Sequence, residues 1–140
     1  MTMSGRCDCG NIEITWHVET SSFVPRACQC EYCASKAAAY VTKPGSKIEV
    51  AIQSNKRHKV VQHGSNTAKF HECLKCDQVV FVTSEIDGEL YGALNANHLD
   101  NHVGFSEPVR ANFSSQTADE KRSRWRQNWC HPVCITTKGS

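Results

Sequence analysis

The spacing of the cysteines constrains this chain more than any other feature of its sequence. Nine cysteines occur in 140 residues, and seven of them form tight groups: Cys7/Cys9, Cys28/Cys30/Cys33 and Cys73/Cys76. An odd number of cysteines in such CxC and CxxC groups favours metal ligation over a disulfide framework. The alternative, buried free thiols, would require two close pairs to fall at ligand spacing by chance. The sequence therefore predicts a zinc protein.

The length of the chain and the distribution of its apolar residues indicate where the protein is located and how many domains it has. The segment after Met1 contains no apolar stretch long enough for a signal peptide or a membrane span, so we expect a cytoplasmic protein without a membrane partner. The length of 140 residues is typical of one domain, and we expect a single zinc-binding domain over residues 1–140. A hydrophobic fraction of 39% supports only a modest core, so another source of stability is needed.

The charge of the chain does not indicate a nucleic-acid partner. The formal net charge is +2, and seven thiolates holding two Zn²⁺ ions would reverse its sign. A basic run contains Lys121, Arg122, Arg124 and Arg126. We interpret this run as the solvated face of a helix and not as a nucleic-acid stripe. Nothing in the sequence sets the oligomeric state.

Alternating apolar residues predict a mainly β fold. Ile12, Ile14, Trp16 and Val18 alternate with polar residues, as in a strand with one buried face. Further strands are predicted at 39–42, 48–52, 59–63, 68–72, 79–84 and 90–94. The simplest arrangement of these strands is a meander of antiparallel strands.

Two local signals add a turn and a helix to these strands. Asp87-Gly88 is suited to a tight turn, so strands 79–84 and 90–94 are predicted to form a hairpin. Thr117 and Glu120 have the spacing of a capping box, which predicts a short C-terminal helix over 118–128.

The first and third cysteine groups together are predicted to form one closed metal site. Zinc prefers four tetrahedral ligands, and structural sites are usually closed by two ligand pairs distant in sequence. Cys7 and Cys9 supply one such pair, and Cys73 and Cys76 supply the other. Structural zinc can contribute about 10 kcal/mol or more of folding free energy, which would compensate for a modest core.

The middle group, Cys28, Cys30 and Cys33, has three thiols and no second local pair. Three protein ligands leave one coordination position open, which distinguishes catalytic from structural zinc. We therefore take this group as the leading active-site candidate. The alternative is a closed structural site completed by a distant ligand, for which the candidates are Cys130, Cys134, His98, His102 and His131.

Cys130 and Cys134 are the two cysteines outside the three groups. They could form a further metal site, ligate the open zinc, or pack their thiols behind Trp125 and Trp129. Packing is the favoured interpretation.

The order of these motifs resembles that of a known family. The motifs are Gly5-Arg6-Cys7-Asp8-Cys9-Gly10-Asn11-Ile12, Cys28-x-Cys30-x-x-Cys33, Cys73-x-x-Cys76 and Gly92-Ala93-Leu94. Their order and spacing over residues 4–100 resemble the glutathione-dependent formaldehyde-activating enzyme (GFA) family, which includes centromere protein V. Residues 116–140 lie outside the resemblance and are expected to form a C-terminal helical extension.

The resemblance implies a zinc-clamped β-tent fold of antiparallel sheets and two zinc ions per chain. It implies that Cys7, Cys9, Cys73 and Cys76 hold a structural zinc, and that Cys28, Cys30 and Cys33 hold a catalytic one. The implied activity is that of a carbon–sulfur lyase acting on S-hydroxymethylglutathione or a related small thiol–aldehyde adduct. The alternative is a noncatalytic zinc-binding interaction module of the same fold. A methionine sulfoxide reductase is favoured less than either, because it needs a nucleophilic cysteine outside the metal sites and would have to use Cys130 or Cys134.

The sequence departs from the usual family pattern at four positions. These are Gln29, Ala34, Asp77 and Asn95, where histidine, arginine, glycine and aspartate are common. The arginine missing at 34 is an obvious partner for a carboxylate of glutathione. Arg26, Lys36 and Lys43 are the candidates to replace it.

Overall fold

Two β-sheets organise the chain. The structure is a computed structural model that describes residues 2–18, 24–28, 38–62, 68–99, 109–111 and 117–138. Within these residues the first sheet contains four strands, in the order β1 (Thr2–Arg6), β2 (Ile12–His17), β5 (Ile48–Ile52) and β11 (Val133–Thr137). β1, β2 and β5 are antiparallel neighbours, whereas β11 lies parallel to β5.

The second sheet contains seven strands in the described parts of the chain. Their order is β10 (Val109–Ala111), β3 (Arg26–Cys28), β4 (Ala39–Val41), β9 (Glu89–Asn95), β8 (Gln78–Ile86), β7 (Lys69–Cys73) and β6 (His58–Val61). All neighbours are antiparallel except β10 and β3. Short 3₁₀ helices occupy Asn55–Arg57 and Ala96–His98.

The main core lies between the two sheets. On β2 the predicted alternation is confirmed, because Ile12, Ile14 and Trp16 are buried while the residues between them are exposed or half-buried. These side chains belong to the same buried cluster as Phe81 and Leu94 of the second sheet. The inner faces of both sheets therefore contribute to one hydrophobic layer.

A single α-helix within the described residues, α1 (Ala118–Asn128), covers part of the other face of the second sheet. Its predicted capping box is confirmed: the Glu120 backbone N–H donates to the Thr117 hydroxyl at 3.1 Å, and the Thr117 N–H donates to the Glu120 carboxylate at 3.0 Å. Trp125 is buried against Val82 and Ile86.

The prediction of a mainly β fold of antiparallel sheets with one short C-terminal helix is confirmed. The predicted hairpin joins β8 and β9, and its turn has the expected positive φ angles of 54° at Asp87 and 81° at Gly88. The single meander is correct only for β6 to β9, because the chain otherwise passes between two sheets. The C-terminal segment contains a strand in addition to the predicted helix, because β11 pairs with β5 in the first sheet.

Candidate metal centre

The four predicted ligands of the closed site come together in the fold. Cys7 and Cys9 lie in the connection between β1 and β2, Cys73 ends β7, and Cys76 lies in the turn before β8. Their sulfur atoms all lie within 4.8 Å of one another. The Cys9 sulfur is 3.7 Å from that of Cys7 and 3.4 Å from that of Cys73.

Each cysteine pair is presented by a tight turn. In the first, the Gly10 N–H donates to the Cys7 carbonyl at 2.9 Å, and Gly10 has a φ of 78° that favours glycine. In the second, the Asp77 N–H donates to the Cys73 carbonyl at 2.8 Å. Asp77 has a φ of 53°, so it keeps the left-handed conformation of the glycine common at this position.

The geometry of the four sulfurs fits a tetrahedral zinc ion. Zinc–sulfur bonds of about 2.3 Å in a tetrahedron place the sulfurs about 3.8 Å apart. The closest sulfur pairs lie at 3.4 and 3.7 Å, and the whole set lies within 4.8 Å. Backbone N–H groups also point at the sulfurs: that of Ile12 donates to Cys7, and that of Cys9 donates to Cys76, each at 3.3 Å. Such donors stabilise thiolates, the form that binds metal.

The four thiols differ in how easily they ionise. Burial raises the pKa of the Cys7, Cys73 and Cys76 thiols. Burial acts in the same direction at Cys9, but hydrogen bonds from the Asn11 backbone and from the neighbouring thiols outweigh it and lower the pKa to about 7. Metal binding must therefore displace protons from this cluster.

Two polar residues beside the cluster were not predicted. A guanidinium nitrogen of Arg57, Nη1, lies 3.9 Å from the Cys9 sulfur. Asn11 is fully buried, and its side chain donates to the Ser54 carbonyl at 3.1 Å and accepts from the Ser54 N–H at 2.9 Å. The only sequence signal for Asn11 is its place directly after Cys7-Asp8-Cys9-Gly10, and Arg57 has none.

A buried histidine also lies near the cluster along β7. His71 is bonded on both ring nitrogens, to His58 at 2.9 Å and to the Thr83 hydroxyl at 2.8 Å, and its ring stacks on Phe81. Burial, together with nearby positive charge, lowers the pKa of His71 to about 3. The imidazole is therefore a neutral, fully hydrogen-bonded part of the core.

The three-cysteine group falls largely outside the described residues. Cys28 ends β3, between β10 and β4, whereas Cys30 and Cys33 are not among the residues that the structure describes. The open zinc site with these three ligands stays a prediction. Near the start of β3, Arg26 lines a pocket of about 120 Å³ with Tyr40 and Thr42.

The candidates for a further ligand of that site differ in burial and in surroundings. Cys130 is buried in the core cluster that contains Trp16, and Cys134 is exposed on β11. His131 lies 3.2 Å from the Glu89 carboxylate, and His98 is buried at the end of a 3₁₀ helix. His102 lies outside the described residues. Cys130 packs in the core cluster that contains Trp16, whereas Trp125 and Trp129 belong to the other hydrophobic cluster. The exposed Cys134 is not packed in the core.

Asn95, which stands where aspartate is common, has a structural role. Its amide nitrogen donates to the Val79 carbonyl at 2.8 Å, which a carboxylate could not do. Its side-chain oxygen accepts from the Asn97 N–H at 3.2 Å and so caps the second 3₁₀ helix. This departure from the family pattern is therefore matched to its surroundings.

Fold and site together define a mainly β protein with a four-thiol cluster that fits a metal ion. Among the described residues, no other group of three or more potential ligands could hold a metal. In the same residues, no helix combines the length and the apolar character that crossing a membrane requires.

The chain belongs to the glutathione-dependent formaldehyde-activating enzyme family, whose model matches residues 2–116. No curated protein matches the chain. Among solved structures, it is similar to the crystal structure of a Rhodobacter sphaeroides protein, a Northeast Structural Genomics target. The identity is 22% and the TM-score 0.57, over 76% of this chain and 100% of that chain, so this likeness concerns the fold alone.

Proposed function

We propose that this protein is a zinc-dependent carbon–sulfur lyase that forms and cleaves adducts of a small thiol with an aldehyde, such as S-hydroxymethylglutathione. The observation that carries the proposal is the family match over residues 2–116, which includes all seven grouped cysteines. The resemblance in motif order supports the same activity. A cytoplasmic location and a single domain over residues 1–140 are part of this proposal.

The two cysteine sets have different roles in this proposal. Cys7, Cys9, Cys73 and Cys76 hold a structural zinc that joins the β1–β2 connection to the β7–β8 turn. Cys28, Cys30 and Cys33 hold a second zinc, which would supply a Lewis-acid centre with one open position for a thiol. The chain would then contain two zinc ions.

The reaction joins a thiol to a carbonyl carbon without an external oxidant or reductant. The thiol loses its proton, its sulfur attacks the aldehyde carbon, and the carbonyl oxygen takes up a proton as the C–S bond forms. The reverse reaction breaks the same bond and returns thiol and aldehyde. The chain must therefore orient the thiol and keep its sulfur ionised.

Arg26, the first residue of β3, could bind a carboxylate group of the thiol substrate. Arg26 is exposed and lies opposite Tyr40 in the pairing of β3 with β4, two residues before Cys28. Its guanidinium can bind a carboxylate with two hydrogen bonds, as the arginine common at position 34 would. In this proposal Arg26 takes the role of the arginine that is common at position 34, where this chain has Ala34.

The test is exchange spectroscopy by NMR of an equilibrium mixture of thiol and formaldehyde. The protein should accelerate exchange between free glutathione, or another thiol in a panel, and its hydroxymethyl adduct above the rate in buffer. Cys30→Ser should abolish this acceleration while the protein stays folded. Cys134→Ser is the matched control, because Cys134 is an exposed cysteine outside the three groups.

Metal analysis of the same samples separates the possible outcomes. The proposal expects two zinc ions per chain in the wild type and one in Cys30→Ser. Wild-type protein that holds its zinc but accelerates exchange of no thiol in the panel would refute the lyase. It would leave a noncatalytic zinc-binding interaction module in its place.

A further inference from the structure

Arg57 contacts both halves of the four-cysteine cluster. Its side-chain Nη1 donates to the Cys9 sulfur at 3.9 Å. Its backbone carbonyl accepts a hydrogen bond of 2.8 Å from the N–H of Leu74, which lies between Cys73 and Cys76. One residue therefore joins the first cysteine pair through its side chain and the second pair through its backbone.

The contact of Arg57 with Cys9 would place a positive charge beside a negatively charged, metal-loaded cluster. Four thiolates around a divalent cation carry an excess of about two negative charges. The buried sulfurs of Cys7 and Cys73 are protected by the fold, whereas Cys9 and Cys76 are partly exposed. Chelators, protons and electrophiles would reach the metal from this exposed side. The guanidinium of Arg57 lies against one of these two exposed ligands.

The backbone of Arg57 is held in place independently of its side chain. Its N–H donates to the Ser54 carbonyl at 3.2 Å, and the buried Asn11 holds both the N–H and the carbonyl of Ser54. The next residue, His58, lies directly opposite Cys73 in the pairing of β6 with β7. Removal of the guanidinium should therefore leave the backbone around the cluster in place.

We propose that Arg57 is a positioning residue that retains the metal ion in the four-cysteine site. Its positive charge offsets part of the excess negative charge, and its hydrogen bond orients the partly exposed thiolate of Cys9. This inference rests on the proposed metal at that site. Partners that bond to metal ligands typically contribute a factor of about 10 to 100 in metal affinity.

The test measures how fast zinc leaves the protein. Zinc-loaded wild type, Arg57→Met, Arg57→Lys and Lys56→Met are mixed with an excess of a chromogenic chelator, and the release rates are compared. Methionine keeps an unbranched apolar stem like that of arginine but has neither the charge nor the N–H donors. Arg57→Met should release the structural zinc about tenfold faster than wild type. Arg57→Lys should restore part of the difference, and Lys56→Met, a change at an exposed neighbour, should release zinc at the wild-type rate.

A spectroscopic readout checks that the effect acts on the sulfur. In cobalt-substituted protein, loss of the hydrogen bond should move the sulfur-to-cobalt charge-transfer band of Arg57→Met to lower energy than in Lys56→Met. Circular dichroism confirms that both variants are folded before release is compared. If Arg57→Met is not folded, the release rate and the cobalt spectrum of Arg57→Lys are compared with those of Lys56→Met. This comparison tests the geometry of the hydrogen bond to the Cys9 sulfur.

Two different failures can be told apart. Wild-type protein without metal on the four cysteines would refute the proposed site itself. Zinc on those cysteines, with equal release rates and identical cobalt spectra for the variants at 57 and 56, would refute the role of Arg57 and leave the metal site standing.

Discussion

Gly92 has no room for a side chain unless Val133 moves. Replacing Gly92 therefore tests how the C-terminal segment packs on the second sheet. The backbone of Gly92 exchanges hydrogen bonds of 2.9 and 2.8 Å with that of Cys130. A Cβ atom at this position would lie 2.8 Å from a methyl group of Val133 and 3.2 Å from the Val82 carbonyl oxygen. Carbon atoms in contact prefer separations of about 3.5–4.0 Å, so Gly92→Ala forces Val133 to move.

The expected loss of stability follows from these distances. Overpacking a well-filled site costs about 1–3 kcal/mol, and replacing a glycine within a strand returns about 0.5–1 kcal/mol. Gly92→Ala should therefore lower the free energy of unfolding by about 1–2 kcal/mol. Val133→Ala removes two buried methyl groups and should cost about 2 kcal/mol by itself. The double variant loses the clash, so its cost should fall short of the sum by about 1 kcal/mol.

Urea unfolding monitored by tryptophan fluorescence measures these quantities, with free zinc held constant because bound metal adds to stability. With an m-value of about 2 kcal/mol/M, Gly92→Ala should shift the midpoint by about 0.5–1 M. Val60→Ala, at an exposed valine on β6, serves as the control second mutation and should be additive with Gly92→Ala. A Gly92→Ala variant with the wild-type urea midpoint would refute the reasoning. A double-mutant cycle of Gly92→Ala with Val133→Ala that is additive within about 0.5 kcal/mol would also refute it.

Three other changes follow from the same structure. Gly5→Ala should destabilise more than Gly92→Ala, because its Cβ would lie 2.5 Å from the backbone oxygen of His98, which cannot rotate away; equal urea midpoints would contradict this. Asp77→Val should cost about 1–2 kcal/mol because a β-branched residue is strained at a φ of 53°, whereas Asp77→Gly should keep the turn, and thermal unfolding compares the two. Cys73→Ser should lose the structural zinc and lower the melting temperature by about 10 °C or more, while Cys134→Ser should do neither; unchanged zinc content in Cys73→Ser by metal analysis would contradict a four-thiolate site.

The strands that could be predicted are those with a local signal. β2 and β5 alternate buried and exposed residues, and the β8–β9 hairpin has Asp87-Gly88 at its turn. β3 and β10 have only three residues each, too few for a period of two to emerge. β4 is equally short and is predicted only as part of the longer run 39–42. β11 lacks a local signal for another reason: only the first of its five residues is buried, so the strand does not alternate. Its parallel partner β5 also lies far away in sequence, and such pairing leaves no turn signal between the strands.

The residues of the candidate site likewise divide into those with a local sequence signal and those without one. The four-thiol cluster of Cys7, Cys9, Cys73 and Cys76 could be predicted because thiol spacing within each pair is a local property. Arg57 and Asn11 could not, since an arginine or an asparagine acquires a role here only by lying beside sulfurs that other segments supply.

By itself the sequence determined the cysteine pairs that are suited to a metal site, the periodic strands and the capped helix, because each depends on neighbours a few residues apart. Only the tertiary structure decided that the β1–β2 connection meets the β7–β8 turn with four sulfurs within 4.8 Å. It also decided that a guanidinium lies against the cluster and that a side chain at position 92 would displace Val133. These features depend on how two sheets pack on one core, and no local pattern encodes the distance between segments that pack together only in the folded chain.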